Sequence, residues 1–172
     1  MKRIYQVFVS STFMDLQNER KEIMETILRT KCFPSGMELF PASNNEQFNF
    51  IKTVIDDCDF YLLIIAGRYG SVNKDGISYT ELEYDYAVEK DKNIIALIHD
   101  QPGKIANEYS EQTPESRDKL QKFKDKVSIG RLVKMWSSAD QLLINVMQAI
   151  NDAKENLPDC GWVRFDTKTE DI

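Results

Sequence analysis

The chain has 172 residues, a length that suits one domain, and its 42% of hydrophobic residues are enough for a sizeable core. Lysine and arginine total 22 against 28 aspartates and glutamates, which gives a net charge of −6. This charge argues against a general nucleic-acid binder and against a protein that adheres to an anionic membrane, but it still allows a local basic pocket. No apolar run approaches the roughly 20 residues of a membrane-spanning helix.

Apolar runs and amphipathic segments alternate along the whole chain. Each strand is predicted from a short apolar run and each helix from apolar residues at helical spacing. In chain order the predicted pairs are strand Ile4–Val9 and helix Asp15–Thr30, strand Met37–Phe40 and helix Asn45–Cys58, strand Phe60–Ala66 and helix Ser78–Asp91, strand Asn93–His99 and helix Pro114–Val127, and strand Leu132–Trp136 and helix Ala139–Asn156.

The connections carry ordinary turn and cap residues. Thr12 and Asp15 have the spacing of a capping box, Pro34-Ser35-Gly36 indicates a turn, and Ser137 is expected to cap the last helix. The polar segment Gln101–Gln112 is expected to be a loop, and Gly161–Phe165 a short extended piece.

Five strand–helix pairs with strands that are apolar throughout predict a parallel sheet covered on both faces. We expect an α/β, flavodoxin-like three-layer sandwich with strand order 2-1-3-4-5. The domain is expected to span residues 1–165, and residues 166–172 to be a frayed end or a linker to a further module.

The start of the chain, Met1 to Gln6, leads directly into a strand pattern, so no signal peptide is expected. Three widely spaced cysteines form no zinc or CxxC pattern, and a single histidine excludes a multi-histidine metal site. We therefore predict a cytoplasmic protein with free thiols and no metal.

Ligands of open doubly wound sheets bind beyond the carboxyl ends of the strands, near the switch point of the strand order. Here that point lies between the first and third strands, which are followed by Ser10-Ser11-Thr12 and by Gly67-Arg68-Tyr69-Gly70. Hydroxyls and free N–H groups at a helix start hold anions, and an arginine can bind a phosphate or carboxylate. The structural alternative to a binding site is that Ser10-Ser11-Thr12 only caps a helix and Gly67–Gly70 only forms a tight turn.

The helix that begins at Ser78 contains one carboxylate that is hard to explain structurally. At 100° per residue, Glu83 falls in the inward arc with Tyr79, Leu82 and Ala87, whereas Glu81 is expected to cap the helix or face solvent. A buried carboxylate needs a partner or a purpose. Glu83 is therefore a candidate functional residue. Two structural alternatives are an ion pair with Arg68 and a shifted helix frame that exposes Glu83 to solvent.

Other polar residues are weaker candidates. His99 and Trp136 end their strands and are expected to be structural, and Asp56, Asp57 and Asp59 are expected to form a solvated junction at the opposite edge of the sheet. Neither a P-loop, a GxGxxG motif nor a serine–histidine–acid pattern is visible.

Several of these segments together resemble the family called domain of unknown function 4062. The segments that carry the resemblance are Val7–Leu16 with Glu19-Arg20, Gly36–Phe40, Asp59, Gly67–Gly70 and Ser78–Tyr84, within residues 4–98. That family is related in pattern to TIR domains, some of which cleave NAD, and to nucleoside 2-deoxyribosyltransferases. Both groups use a glutamate four residues before a small residue, as Glu83 stands before Ala87.

The resemblance implies a TIR-like nucleotide-binding domain that cleaves the N-glycosidic bond of NAD or a related nucleotide. Glu83 would be catalytic, with NAD as substrate and no required cofactor. The phosphate and nucleotide contacts would come from Ser10, Ser11, Thr12, Arg68, Tyr69 and Ser78, with Tyr69 or Tyr79 stacking on a base.

The implied setting is innate-immune or anti-phage signalling. Related domains precede NTPase or repeat modules, so the chain is expected to be part of a larger protein with such modules. TIR-like effectors are usually switched on by clustering, so self-association is expected as well, whereas nucleic acid and membrane partners are not. Two alternatives remain open: a non-catalytic TIR-like interaction module and a nucleoside deoxyribosyltransferase.

Overall fold

A computed structural model describes residues 2–36, 45–157 and 160–164, with the side chains of residues 45–47 excepted. The strands are β1 (Arg3–Ile4), β2 (Gln6–Ser11), β3 (Phe33–Gly36), β4 (Phe60–Ile65), β5 (Asn93–His99), β6 (Lys134–Trp136) and β7 (Trp162–Val163). The α-helices are α1 (Gln17–Arg29), α2 (Asn45–Asp57), α3 (Tyr79–Glu89), α4 (Pro114–Ser128) and α5 (Ala139–Asn156).

Five strands form one parallel sheet in the order β3-β2-β4-β5-β6. This is the predicted flavodoxin-like order, with β2 and β4 in its middle. The remaining two strands, β1 and β7, pair antiparallel and bring residues 162–163 beside residues 3–4.

The strand residues divide the core between the two faces of the sheet. Phe60, Leu62 and Ile64 pack with buried residues of α1 and α5, whereas Tyr61 and Leu63 pack with α2, α3 and α4. Because both faces are covered, every residue of β4 is buried, which explains its continuous apolar sequence.

The predicted turn Pro34–Gly36 is wrong. These residues lie in β3, which tolerates Pro34 because β3 is the edge strand of the sheet.

Two further predictions are not tested. The predicted strand Met37–Phe40 and the predicted frayed end, residues 166–172, lie outside the described residues.

Two predictions of helix caps are also wrong. Thr12 and Asp15 bond to each other through their side chains, but α1 starts later, after Leu16, so they form no capping box. The cap of α5 is Ser138, whose hydroxyl accepts the N–H of Gln141, and not Ser137.

Candidate functional site

A cavity of about 340 Å³ opens at the carboxyl ends of β2 and β4, where the switch-point rule predicts a site. We call it the switch-point cavity. It is lined by Ser11, Thr12, Phe13, Met14, Arg68, Gly70, Ser71, Tyr79, Thr80 and Glu111. The lining thus comes from the loops after both central strands, from the start of α3 and from the end of the loop after β5.

Glycine at position 70 lets two of these loops meet. Gly70 has a φ of +93°, and a Cβ there would lie 2.8 Å from Cγ2 of Thr12. Any other side chain would combine an unfavourable backbone conformation with a clash. Gly70 therefore holds the loop after β4 against the loop after β2.

Glu83 lies three residues after the lining residue Thr80 in α3, and its carboxyl group bonds to β2. Ser10 Oγ donates a hydrogen bond of 2.5 Å to Glu83 Oε2, and both residues are 1% exposed. Tyr61 of β4 lies close by, and burial together with the charge of Glu83 raises the pKa of its phenol well above the usual value. The inward position predicted for Glu83 is confirmed, and it is not a lining residue of the cavity.

Arg68 stands half-buried in the cavity wall. The ion pair with Glu83 that the sequence left open is not present: among the residues that the structure describes, Arg68 forms neither a hydrogen bond nor an ion pair. Its charge acts on Asp15, whose pKa is raised by burial and is partly lowered by hydrogen bonds and by Arg68. The guanidinium group is thus available to a ligand.

The predicted hydroxyl groups are largely engaged within the protein. Ser11 Oγ donates to the Thr12 carbonyl oxygen and accepts from Arg20, and the Thr12 hydroxyl donates to Asp15. Ser78 is fully buried and caps α3 by accepting the N–H of Glu81. Of the four predicted hydroxyl residues, Ser11 and Thr12 line the cavity, whereas Ser10 and Ser78 lie behind its surface.

Glu81 takes part in the cap of α3, as its spacing from Ser78 predicts, because its N–H donates to the Ser78 hydroxyl. The alternative expectation, that Glu81 faces solvent, is wrong. Its side chain is 16% exposed, and its carboxylate forms an ion pair of 2.9 Å with Lys126 of α4. It also accepts a hydrogen bond from the hydroxyl of Tyr69. Burial, followed by that bond to Glu81, raises the pKa of Tyr69. Glu81 thus joins α3 to α4.

The two tyrosines considered for base stacking differ in exposure. Tyr69 is 5% exposed, and its ring meets Phe123 edge-on at 6.3 Å, so its faces are covered in this structure. Tyr79 is 36% exposed and lines the cavity. Tyr79 is therefore the better placed of the two to contact a ligand.

One feature of the site was missed by the sequence analysis. The backbone N–H groups of Tyr69 and Gly70 both point to Oε1 of Glu111, at 2.6 and 3.3 Å. Two successive N–H groups that converge on one oxygen make an anion-binding nest. The positive φ of Gly70 is consistent with such a nest, but the acidic partner lies 41 positions further along the chain and no local pattern identifies it.

A second cavity, of about 260 Å³, shares the lining residue Glu111 with the first. It is lined by residues of the loop after β5 and of α4, among them Glu111, Arg117 and Lys124. Burial lowers the pKa of Lys124, and the nearby carboxyl group of Asp15 partly opposes this. We call this the α4 cavity.

The weaker candidates are structural. His99 packs edge-on against Trp136 at 4.5 Å, and its Nδ1 accepts the N–H of Gln101. Burial, followed by the charge of Lys124, lowers its pKa. Asp59 is not merely part of a solvated junction, because its carboxylate accepts the N–H groups of Gln6 and Gly161.

Two features are absent from residues 2–36, 45–157 and 160–164, the part of the chain that the structure describes. They contain no group of three histidine, cysteine, aspartate or glutamate residues that could hold a metal ion. Nor does any helix there have the length and apolar character needed to cross a membrane.

Comparison with known proteins identifies the family. The model of the domain of unknown function DUF4062 matches residues 6–151, and the chain belongs to this family. No curated protein matches the chain.

Comparison with solved structures gives two matches that span most of the chain. One is the crystal structure of the RPS4 and RRS1 TIR domain heterodimer, with a TM-score of 0.55 at 11% identity, covering 86% of this chain and 97% of that one. The other is a diflavin flavoprotein A3 from Nostoc sp., with a TM-score of 0.46 at 10% identity, covering 91% and 98%. The first likeness shows that the fold is TIR-like.

Proposed function

We propose that this DUF4062 domain binds a phosphate-bearing nucleotide in the switch-point cavity and cleaves the N-glycosidic bond of NAD or a related nucleotide. The observation that carries the proposal is Arg68: its guanidinium group lines the cavity and pairs with no group among the described residues. An arginine in this position suits a phosphate, which it binds through two parallel hydrogen bonds.

The chemistry would come from Glu83. Cleavage of a bond to the anomeric carbon of ribose passes through an oxocarbenium-like transition state, which a nearby carboxylate stabilises either as a nucleophile or by charge. The hydrogen bond from Ser10 would fix the orientation of that carboxylate. Tyr79 would contact the base or the ribose at the cavity mouth.

The reaction requires a conformational change, because Glu83 is 1% exposed and is separated from the cavity in this structure. We propose that self-association opens the cavity down to Glu83. A domain of similar fold forms the RPS4 and RRS1 TIR domain heterodimer, which supports assembly through this fold. The exposed side chains of Phe13 and Met14, both at the cavity rim, offer apolar surface for it.

The same burial of Glu83 favours a second candidate function. In that case the domain is a non-catalytic interaction module, and Ser10–Glu83 is only a structural contact. For either function, the setting we propose is innate-immune or anti-phage signalling within a larger protein. This setting rests on the family resemblance alone.

The reaction class is tested with a panel of substrates. Concentrated protein, free or fused to a clustering tag, is incubated with NAD and with nucleosides plus a second base, and the products are identified by mass spectrometry. Nicotinamide with ADP-ribose indicates hydrolysis, and exchanged bases indicate a deoxyribosyltransferase. If no substrate turns over even when the protein is clustered, the interaction module is the correct function.

Nucleotide binding is tested separately by calorimetry with ADP-ribose. Arg68→Gln should abolish binding, whereas Arg29→Gln should not, because Arg29 is exposed at the end of α1 remote from the cavity. Equal affinities of the two variants would refute the role of Arg68.

A further inference from the structure

The Tyr69–Gly70 nest holds a carboxylate of the protein itself, in the same cavity as Arg68. Glu111 Oε1 accepts both N–H groups, at 2.6 and 3.3 Å, and Glu111 and Arg68 both line the switch-point cavity. No lysine or arginine of the described residues forms an ion pair with Glu111. The backbone N–H groups are therefore the groups that stabilise its negative charge.

The backbone around Glu111 is held in place independently of its side chain. The N–H of Glu111 donates to the carbonyl oxygen of Gly67 at 2.9 Å, and its own carbonyl oxygen accepts from Arg117 Nε at 2.9 Å. Position 67 must be glycine for this packing, since a Cβ there would lie 2.3 Å from the carbonyl oxygen of Tyr109. Rotation of the Glu111 side chain alone would therefore vacate the nest, without opening the loop.

A second position for the carboxylate is available. Glu111 also lines the α4 cavity, whose wall includes the cationic side chains of Arg117 and Lys124. A carboxylate that leaves the nest would enter a cavity that already contains compensating charge. Movement of the Glu111 carboxylate from one cavity to the other therefore does not leave an uncompensated buried charge, which would cost free energy.

We propose that the N–H groups of Tyr69 and Gly70 form a phosphate subsite that Glu111 occupies when no ligand is bound. A phosphate group displaces the Glu111 carboxylate towards the α4 cavity and binds between the nest and Arg68. Glu111 is thus a built-in competitor that lowers the affinity for nucleotide phosphates. The phosphate as ligand class rests on the proposed function, but the competition concerns binding alone and does not require Glu83.

The test is calorimetric binding of inorganic pyrophosphate to wild type, Glu111→Gln and Glu108→Gln. Glu108 lies in the same loop and is exposed, so its variant removes the same charge without touching the nest. Glu111→Gln should bind pyrophosphate at least about tenfold more tightly than wild type, equivalent to about 1.4 kcal/mol. Glu108→Gln should match wild type, and adding Arg68→Gln to Glu111→Gln should abolish the gain.

Equal affinities of wild type, Glu111→Gln and Glu108→Gln would overturn the proposal, as would the absence of pyrophosphate binding in all three. Should Glu111→Gln fail to fold, the subsite is tested by nuclear magnetic resonance of the wild-type protein with added pyrophosphate. Pyrophosphate should shift the amide signals of Tyr69 and Gly70 together with the side-chain carboxyl carbon of Glu111. Binding that leaves those three signals unchanged would refute the subsite.

The failure of this proposal and that of the proposed function are distinguishable. If pyrophosphate displaces Glu111 but no nucleotide is cleaved, the phosphate subsite is confirmed and the proposed cleavage reaction is refuted. If NAD is cleaved while Glu111→Gln binds pyrophosphate no better than wild type, the reaction stands and the competition does not.

Discussion

Ser10 and Glu83 are 73 positions apart in the chain, and their side chains meet in a buried hydrogen bond of 2.5 Å between β2 and α3. The contact links the carboxyl end of a central strand to the first turns of the helix that borders the switch-point cavity. Mutations of these two residues can therefore separate the contribution of the contact to stability from the proposed catalytic role of Glu83.

Ser10→Ala should destabilise the fold by about 1–3 kcal/mol, because a buried carboxyl oxygen loses its donor. The free energy of unfolding is measured in urea. In the Glu83→Gln background the same Ser10→Ala change should cost less, since the remaining acceptor is neutral. Equal costs in both backgrounds would mean that Ser10 does not interact with the charge of Glu83.

Asp59→Asn should loosen the pairing of β1 with β7, because the carboxylate of Asp59 accepts the N–H groups of Gln6 and Gly161. We expect a loss of about 1–2 kcal/mol and faster hydrogen exchange at those two amides. Asp57→Asn, which alters an exposed neighbour, is the matched control and should change neither quantity.

Gly70→Ala should destabilise the protein by about 1–3 kcal/mol, because alanine at a φ of +93° is strained and its Cβ would clash with Thr12. Gly103→Ala provides the comparison, since a Cβ at Gly103 would meet no atom within 4 Å. Thermal unfolding of both variants measures the difference. A Gly70→Ala protein as stable as Gly103→Ala would show that the two loops do not pack as described.

Cys58 should resist alkylation by iodoacetamide in the folded protein at pH 8. Burial raises the pKa of its thiol to about 12, so that roughly one molecule in ten thousand carries the reactive thiolate at that pH. Cys160 is only partly buried and should react first. Mass spectrometry of partially alkylated protein identifies the modified site, and rapid labelling of Cys58 would contradict its burial.

Much of the fold was predictable because the strands that form its centre are buried on both faces. The continuous apolar sequence of β4 indicated a central strand, and the helical arc of α3 placed Glu83 inward. By contrast, the sequence predicts a turn at Pro34 where the structure has a strand, because proline is compatible with an edge strand but equally typical of turns.

The partners of the polar side chains were less predictable, because they are distant in sequence. Lys126, which pairs with Glu81, follows it by 45 positions, and Glu111 follows Gly70 by 41. No periodicity or motif links such positions. Only the packing of α4 and of the loop after β5 against the switch-point cavity brings them together.

The most direct test of the central claim is the rate of NAD cleavage by the clustered protein and its Glu83→Gln variant. Glu89→Gln, at an exposed position of the same helix, is the matched control. We expect weak or no cleavage by the dilute protein and a rate per molecule that rises on forced oligomerisation.

Under those clustered conditions, Glu83→Gln should abolish cleavage with a nearly unchanged melting temperature, since each 1.36 kcal/mol of lost transition-state stabilisation lowers the rate about tenfold. Glu89→Gln should cleave like wild type. A Glu83→Gln protein that cleaves NAD at the wild-type rate would contradict the account.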